Sequence, residues 1–189
     1  MGHDALIIVD VQNDFCPGGS LAVLEGDQVI PVLQEWVNRF AKQGHLIVTT
    51  QDAHPPGHIS FLEQGGPWPP HCVKDTWGFE VHPGLKLPSH AAFYKGYLPD
   101  VDAYSGFEGT LVPAPEPRSL EEFLRRNDVN TLYIGGLATD YCVKATVLDA
   151  LKRGFSTRVI VEGVRGVNLH AQDSQEALKA IRKQGAQLL

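Results

Sequence analysis

Residues 131 to 155 read T-L-Y-I-G-G-L-A-T-D-Y-C-V-K-A-T-V-L-D-A-L-K-R-G-F. Leu132, Tyr133 and Ile134 form an apolar, β-prone run that meets Gly135-Gly136, and Val143, Val147, Leu148 and Leu151 then recur at spacings of three and four. The pattern predicts a strand, a sharp turn and a helix, with Thr139 or Asp140 available as the helix N-cap. Cys142 falls in the first turn. Unpaired N–H groups and the positive end of the helix dipole favour a thiolate there, so the position suits a nucleophile. The plainer alternative is a small buried hydrophobe.

Working outward, the rest of the chain alternates strand and helix signals. Ala5 to Val11 is a continuous apolar run broken only by Asp10, as in a parallel strand buried on both faces. Val29, Val32, Leu33, Trp36, Val37 and Phe40 mark a helix face running to Gly44, and Leu46 to Thr50 is a second strand. Residues 51 to 90 are dense in Pro, Gly and His with little periodicity, a loop far longer than usual connections and of the kind that carries function. Ala92 to Tyr94 reads as a short strand, residues 97 to 117 as a loop, and Ser119 as the start of a helix with Glu121 and Glu122 in its first turn. Ser156 to Val161 is a further strand, residues 162 to 168 a loop, Ala171 to Gln184 a helix, and Ala186 to Leu189 a closing edge strand. Such alternation predicts an α/β fold, a parallel sheet with helices on both faces, in one domain spanning 1–189. In such sheets ligands sit beyond the carboxyl ends of the strands.

Composition narrows the class. The 189 residues are 43% hydrophobic and 20% charged, with a net charge of −6 and no basic run longer than a pair, which argues against nucleic acid and anionic membrane surfaces as partners. No uninterrupted apolar window approaches the length of a membrane span, and no signal peptide is expected. Three widely spaced cysteines, Cys16, Cys72 and Cys142, fit reduced thiols and a cytoplasmic location better than a disulfide framework.

The strand ends carry Asp10, Asp52, Lys95 and Cys142. A carboxylate inside an apolar run is costly unless paired or used. Together Asp10, Lys95 and Cys142 supply a thiol, a carboxylate to take its proton and an ammonium to stabilise the charged pair, a set suited to acyl transfer. In the long loop, Asp52, His54, His58 and His71 place one carboxylate and three imidazoles within about twenty residues, a ligand set suited to zinc, iron or manganese.

Six segments carry a resemblance in order: I-I-V-D-V-Q-N-D-F at 7–15, D-A-H-P-P-G-H-I-S-F at 52–61, W-P-P-H-C-V at 68–73, F-Y-K-G at 93–96, A-Y-S-G-F at 103–107 and G-L-A-T-D-Y-C-V at 136–143. The chain resembles the nicotinamidases (pyrazinamidases) of the isochorismatase-like, or cysteine hydrolase, superfamily over nearly its whole length. The resemblance implies a six-stranded parallel sheet, a catalytic triad of Asp10, Lys95 and Cys142, and one divalent metal ion, zinc, iron or manganese, on Asp52, His54, His58 and His71. It also implies a cis Leu137–Ala138 peptide that aims the N–H groups of Ala138 and Cys142 into an oxyanion hole. Phe15, Trp68, Tyr104, Leu137 and Tyr141 are the expected substrate pocket, since aromatic faces hold a flat heteroaromatic ring well.

The implied reaction is hydrolysis of nicotinamide to nicotinate and ammonia through a cysteine thioester, with pyrazinamide as an expected second substrate. The expected partner is thus a small molecule, with self-association into a homo-oligomer left open. Competing readings are an N-carbamoylsarcosine or ureidoacrylate type amidase, which would share the triad but lack the metal set, and a catalytically silent binding member. Lys74-Asp75-Thr76-Trp77 is bulkier than related chains after the last metal histidine, and Cys16 and Cys72 stand outside the triad as structural thiols.

Overall fold

The computed structural model describes residues 3–189. Seven strands form one sheet: β1 His3–Val9, β2 Leu46–Asp52, β3 Ala91–Lys95, β4 Thr110–Val112, β5 Val129–Leu137, β6 Ser156–Arg165 and β7 Gln187–Leu188, in the spatial order β4-β3-β2-β1-β5-β6-β7. All pairs are parallel except β3 with β4. The six-strand, all-parallel expectation is therefore corrected by one antiparallel edge strand. β4 is three residues long, too short for a period-two pattern to rise above the loop around it.

β1 lies at the centre because alternate side chains find partners on both faces. Leu6 and Ile8 pack with Val29, Leu33, Val37 and Phe40 of α1 (Val29–Gln43). Ala5, Ile7 and Val9 pack on the other side with α2 (Leu120–Arg126), α3 (Lys144–Lys152) and α4 (Asp173–Lys183). The caps follow the sequence. Gly44 ends α1 in the left-handed region at φ 71°, and Ser119 Oγ accepts from Glu122 N at 3.2 Å to start α2.

Two local expectations are corrected. β6 runs on to Arg165 through residues read as loop, because the register shifts after Ile134 and lets Val164 and Arg165 pair with Gly136 and Leu137. The turn after β5 is a π-helical segment, Thr139–Val143, led by Ala138 with no side-chain cap, so neither Thr139 nor Asp140 caps it. The Asp140 carboxylate instead accepts from Val167 N (2.9 Å) and Asn168 N (2.8 Å), tying this turn to the loop after β6. Single π turns of this kind cluster at functional sites.

The order of the sheet brings the carboxyl ends of β1, β2, β3 and β5 together, since these four strands are consecutive neighbours. Asp10, Asp52, Lys95 and the Cys142 turn leave the sheet there. No helix among the described residues is long and apolar enough to cross a membrane.

Candidate active site

Lys95, at the end of β3, is fully buried, and its ammonium is the centre of the cluster. Nζ lies 2.9 Å from Asp10 Oδ2 and 3.4 Å from both Cys142 Sγ and the Ala103 carbonyl, and it donates a short hydrogen bond to Asp52 Oδ1. Asp10, Asp52 and Cys142 offer side-chain atoms that all lie within 4.8 Å of one another. Asp10 directly follows β1 in a left-handed conformation, φ 47°, uncommon for a non-glycine residue and typical of functional sites. Its Oδ1 accepts from Thr50 Oγ1 at 2.6 Å, whereas Oδ2 faces Lys95 as an ion pair without hydrogen-bond alignment.

Burial raises the Asp10 carboxyl above its ordinary range, against the pull of Lys95. Burial also opposes charge on Lys95, but Asp10 and Asp52 outweigh it and hold the ammonium well above a usual lysine. The thiol of Cys142 is pushed well above its usual range by burial, with Lys95 acting in the opposite direction. The helix start alone thus does not make a thiolate, contrary to the expectation from sequence. Cys142 depends on its neighbours to lose its proton.

A second group begins on the far side of Asp52. Asp52, His54 and His71 present ligand atoms within 4.8 Å of one another, all three buried. The Nδ1–H of His54 donates to Gly96 O and that of His71 to Pro69 O, each at 2.8 Å, so Nε2 is the nitrogen of each ring left to face a metal. Burial lowers His54 to about 3, which keeps the ring neutral. This donor set fits a divalent metal: two oriented imidazoles and a carboxylate whose Oδ2 lies 3.7 Å from His54 Nε2. His58 is placed differently. Its ring stacks on His54 with centroids 4.1 Å apart, but Nε2 donates to Val101 O (3.1 Å) and Nδ1 accepts from the hydroxyl (2.8 Å) and amide (3.3 Å) of Ser60. Three of the four expected ligands converge, and His58 supports them from behind.

A small cavity opens between Cys142 and His71, lined by Phe15, Leu21, Trp68, Tyr104, Tyr141 and Val167 beside Asp52 and Ala138. Trp68 Nε1 donates to the Tyr104 hydroxyl at 3.2 Å, and Trp68 meets Tyr141 edge-on with centroids 5.0 Å apart. Of the residues expected to form a substrate pocket, Phe15, Trp68, Tyr104 and Tyr141 line this cavity. Leu137, the last residue of β5, does not line it: it is fully buried in the core on the α1 side, while Ala138 just beyond the strand reaches the cavity. The Leu137–Ala138 peptide is cis, and Ala138 O receives Tyr141 N and Val143 N, each at 3.1 Å.

Sequence reading missed the residues that brace this site. Gln12 is fully buried and grips the Asp52 backbone from both sides, Nε2 donating to Asp52 O (2.9 Å) and Oε1 accepting from Asp52 N (2.8 Å). Asp14 accepts from Cys72 N (2.7 Å) and Ser20 N (3.0 Å), holding the residue after His71 at φ 46°. Gly78 leaves the space for that carboxylate, since a Cβ there would stand 2.0 Å from Asp14 Oδ2. Gln12 and Asp14 lie in the quoted 7–15 segment, where polar residues directly after an apolar strand were the available signal.

The isochorismatase domain model matches residues 4–189 of the chain. The chain belongs to the isochorismatase family. Within it, the chain is 42% identical to a nicotinamidase of Escherichia coli, the alignment covering 97% of this chain and 93% of that protein. Among solved structures, a pyrazinamidase of Pyrococcus horikoshii in complex with zinc superposes with a TM-score of 0.90 at 45% identity, covering 99% of this chain and 98% of that one. The PnC1 protein of L. infantum in complex with nicotinate superposes with a TM-score of 0.85 at 32% identity, covering 100% of this chain and 92% of that one.

Proposed function

We propose that the chain is a metal-dependent nicotinamidase, hydrolysing nicotinamide to nicotinate and ammonia, with pyrazinamide as a second substrate. One observation carries the reading. Asp52 belongs to two groups at once, its Oδ1 accepting from Lys95 of the triad and its Oδ2 facing the imidazole of His54. A substrate ring seated in the aromatic cavity would therefore have the thiol at one end and the ligand set at the other. Carbamoyl amides need no such set.

Asp10 accepts the thiol proton of Cys142, while Lys95 stabilises the thiolate it leaves. The thiolate adds to the amide carbon, and the oxyanion takes hydrogen bonds from the Ala138 and Cys142 N–H groups, each of the kind that contributes about 3 kcal/mol to a transition state. The intermediate collapses to a thioester as Asp10 returns its proton to the departing nitrogen, releasing ammonia. Asp10 then accepts a proton from water as the water oxygen attacks the thioester, and the Cys142 thiolate leaves and takes that proton back from Asp10. Phe15, Trp68 and Tyr104 hold the ring and exclude bulk water. A divalent ion on Asp52, His54 and His71 would bind the pyridine nitrogen and orient the ring. His58 enters that set only if its bonds to Val101 and Ser60 give way.

We read residues 1–189 as a single domain, on the strength of one continuous sheet, and place the protein in the cytoplasm, where three free cysteines are at home. Ammonia release across nicotinamide, pyrazinamide, N-carbamoylsarcosine and ureidoacrylate, with and without chelator, tests the assignment. The expected result is turnover of the two ring amides, lost on chelation and restored by zinc. Preferential turnover of a carbamoyl substrate, indifferent to chelator, would overturn it.

A further inference from the structure

The two oxygens of the Asp10 carboxylate are not equivalent. Oδ1 is occupied by the hydroxyl of Thr50, a buried residue of β2, at 2.6 Å. Oδ2 has no aligned hydrogen-bond donor although it is buried, and it lies 2.9 Å from the same Nζ that stands 3.4 Å from Cys142 Sγ. The ammonium offsets the charge on that oxygen while leaving it without an aligned donor, so Oδ2 is the oxygen open to a proton.

We propose that Thr50 is a positioning residue for proton transfer, occupying Oδ1 of Asp10 so that Oδ2 is the atom that exchanges protons with Cys142. The inference rests on the nicotinamidase reading, in which Asp10 is the base in both half-reactions. The backbone supports it. Asp10 N donates to Thr50 O at 3.1 Å, so residue 50 grips both the amide and the carboxylate of a residue held at φ 47°. The Thr50 methyl lies against Gly106, where a Cβ would stand 2.7 Å from Cγ2, so only glycine leaves room for it. With the methyl on that side, the hydroxyl is aimed at Oδ1. Without it the carboxylate keeps its ion pair with Lys95 but loses the bond that distinguishes Oδ1 from Oδ2.

The test compares Thr50→Val, which keeps the shape and removes the hydroxyl, with Thr50→Ser, which keeps the hydroxyl. Steady-state ammonia release from nicotinamide is measured on zinc-loaded protein, with zinc content and thermal midpoint as controls. For Thr50→Val, kcat and kcat/KM are expected to fall together by about tenfold or more with KM unchanged, since only transition-state positioning is lost. Thr50→Ser is expected to stay within about threefold of the parent. Should Thr50→Val fail to fold, Thr50→Ala serves as the hydroxyl-free variant.

Equal losses in the valine and serine variants, or a change confined to KM, would overturn the inference in favour of a packing role. Thr50→Val at parental kcat would overturn it outright. Asp10→Asn run in parallel separates the two levels. An inactive Asp10→Asn beside a fully active Thr50→Val removes only the role of Thr50, whereas an active Asp10→Asn removes the carboxylate base itself.

Discussion

Lys95 Nζ stands 2.9 Å from Asp10 Oδ2 in a setting where both side chains are fully excluded from solvent. The pair is not isolated, because the same ammonium also donates to Asp52 and reaches the Cys142 sulfur. One cation therefore offsets two buried carboxylates and stands beside the thiol.

Removing that cation has a structural cost as well as a catalytic one. Lys95→Met leaves two uncompensated buried carboxylates, a situation that typically costs about 3–5 kcal/mol. Urea unfolding of the metal-free protein is expected to show a loss of that order together with loss of turnover. Unchanged stability would mean that Lys95 does not balance Asp10 and Asp52.

The tight approach of Gly96 to His54 gives a test of the metal set. Gly96 sits at φ +61°, and a Cβ there would come within 2.5 Å of His54 Cε1 while the Gly96 carbonyl holds the ring through Nδ1. Gly96→Ala is expected to displace the imidazole and weaken zinc binding about 10- to 100-fold, the range seen when a ligand's outer partner is disturbed. Competition titration against a chromophoric chelator reads this directly; parental affinity would contradict the assigned ligand set.

The pH profile should report Asp10. Burial raises its carboxyl above the ordinary value of 3.8, so as pH falls the proton-accepting form is lost earlier than for a free aspartate. With zinc held saturating, kcat/KM is expected to decline on the acid side with a midpoint above 3.8. A flat profile down to that value would remove Asp10 as the base.

The three thiols should differ in reactivity. Burial raises Cys16 to about 11, and Cys72 is pushed well above its usual range by burial and neighbouring carboxylates. Cys142 is also raised, but it lines the cavity and has Asp10 and Lys95 beside it. Peptide mapping after brief iodoacetamide treatment of the folded protein at pH 8 is expected to find the label on Cys142. Faster labelling of Cys72 or Cys16 would contradict the burial of these two residues.

The fold was legible where periodicity is long. Val29 to Phe40 and the strand ends Asp10, Asp52 and Lys95 stand where the apolar runs stop, and the sheet order that unites them follows from alternation of strands and helices. β4 and the extension of β6 escaped because their pairing depends on a neighbour's register rather than on their own pattern. His58 could not be separated from His54 and His71 by spacing, since what distinguishes it is a hydrogen bond to Val101, 43 residues away. The clamp of Gln12 on Asp52 spans 40 residues and was equally invisible. Leu137 was misplaced because the cavity is reached only by the residue after the strand end, Ala138, a distinction that the apolar run does not carry.

The most direct test of the account is ammonia release from nicotinamide by Cys142→Ala, with zinc content and folding checked in the same preparation. If Cys142 forms the thioester, turnover falls by about 10⁴-fold or more, as when the nucleophile of a catalytic unit is removed. Turnover within tenfold of the parent would show that the amide is hydrolysed without this thiol, and the mechanism built on Asp10, Lys95 and Cys142 would be wrong.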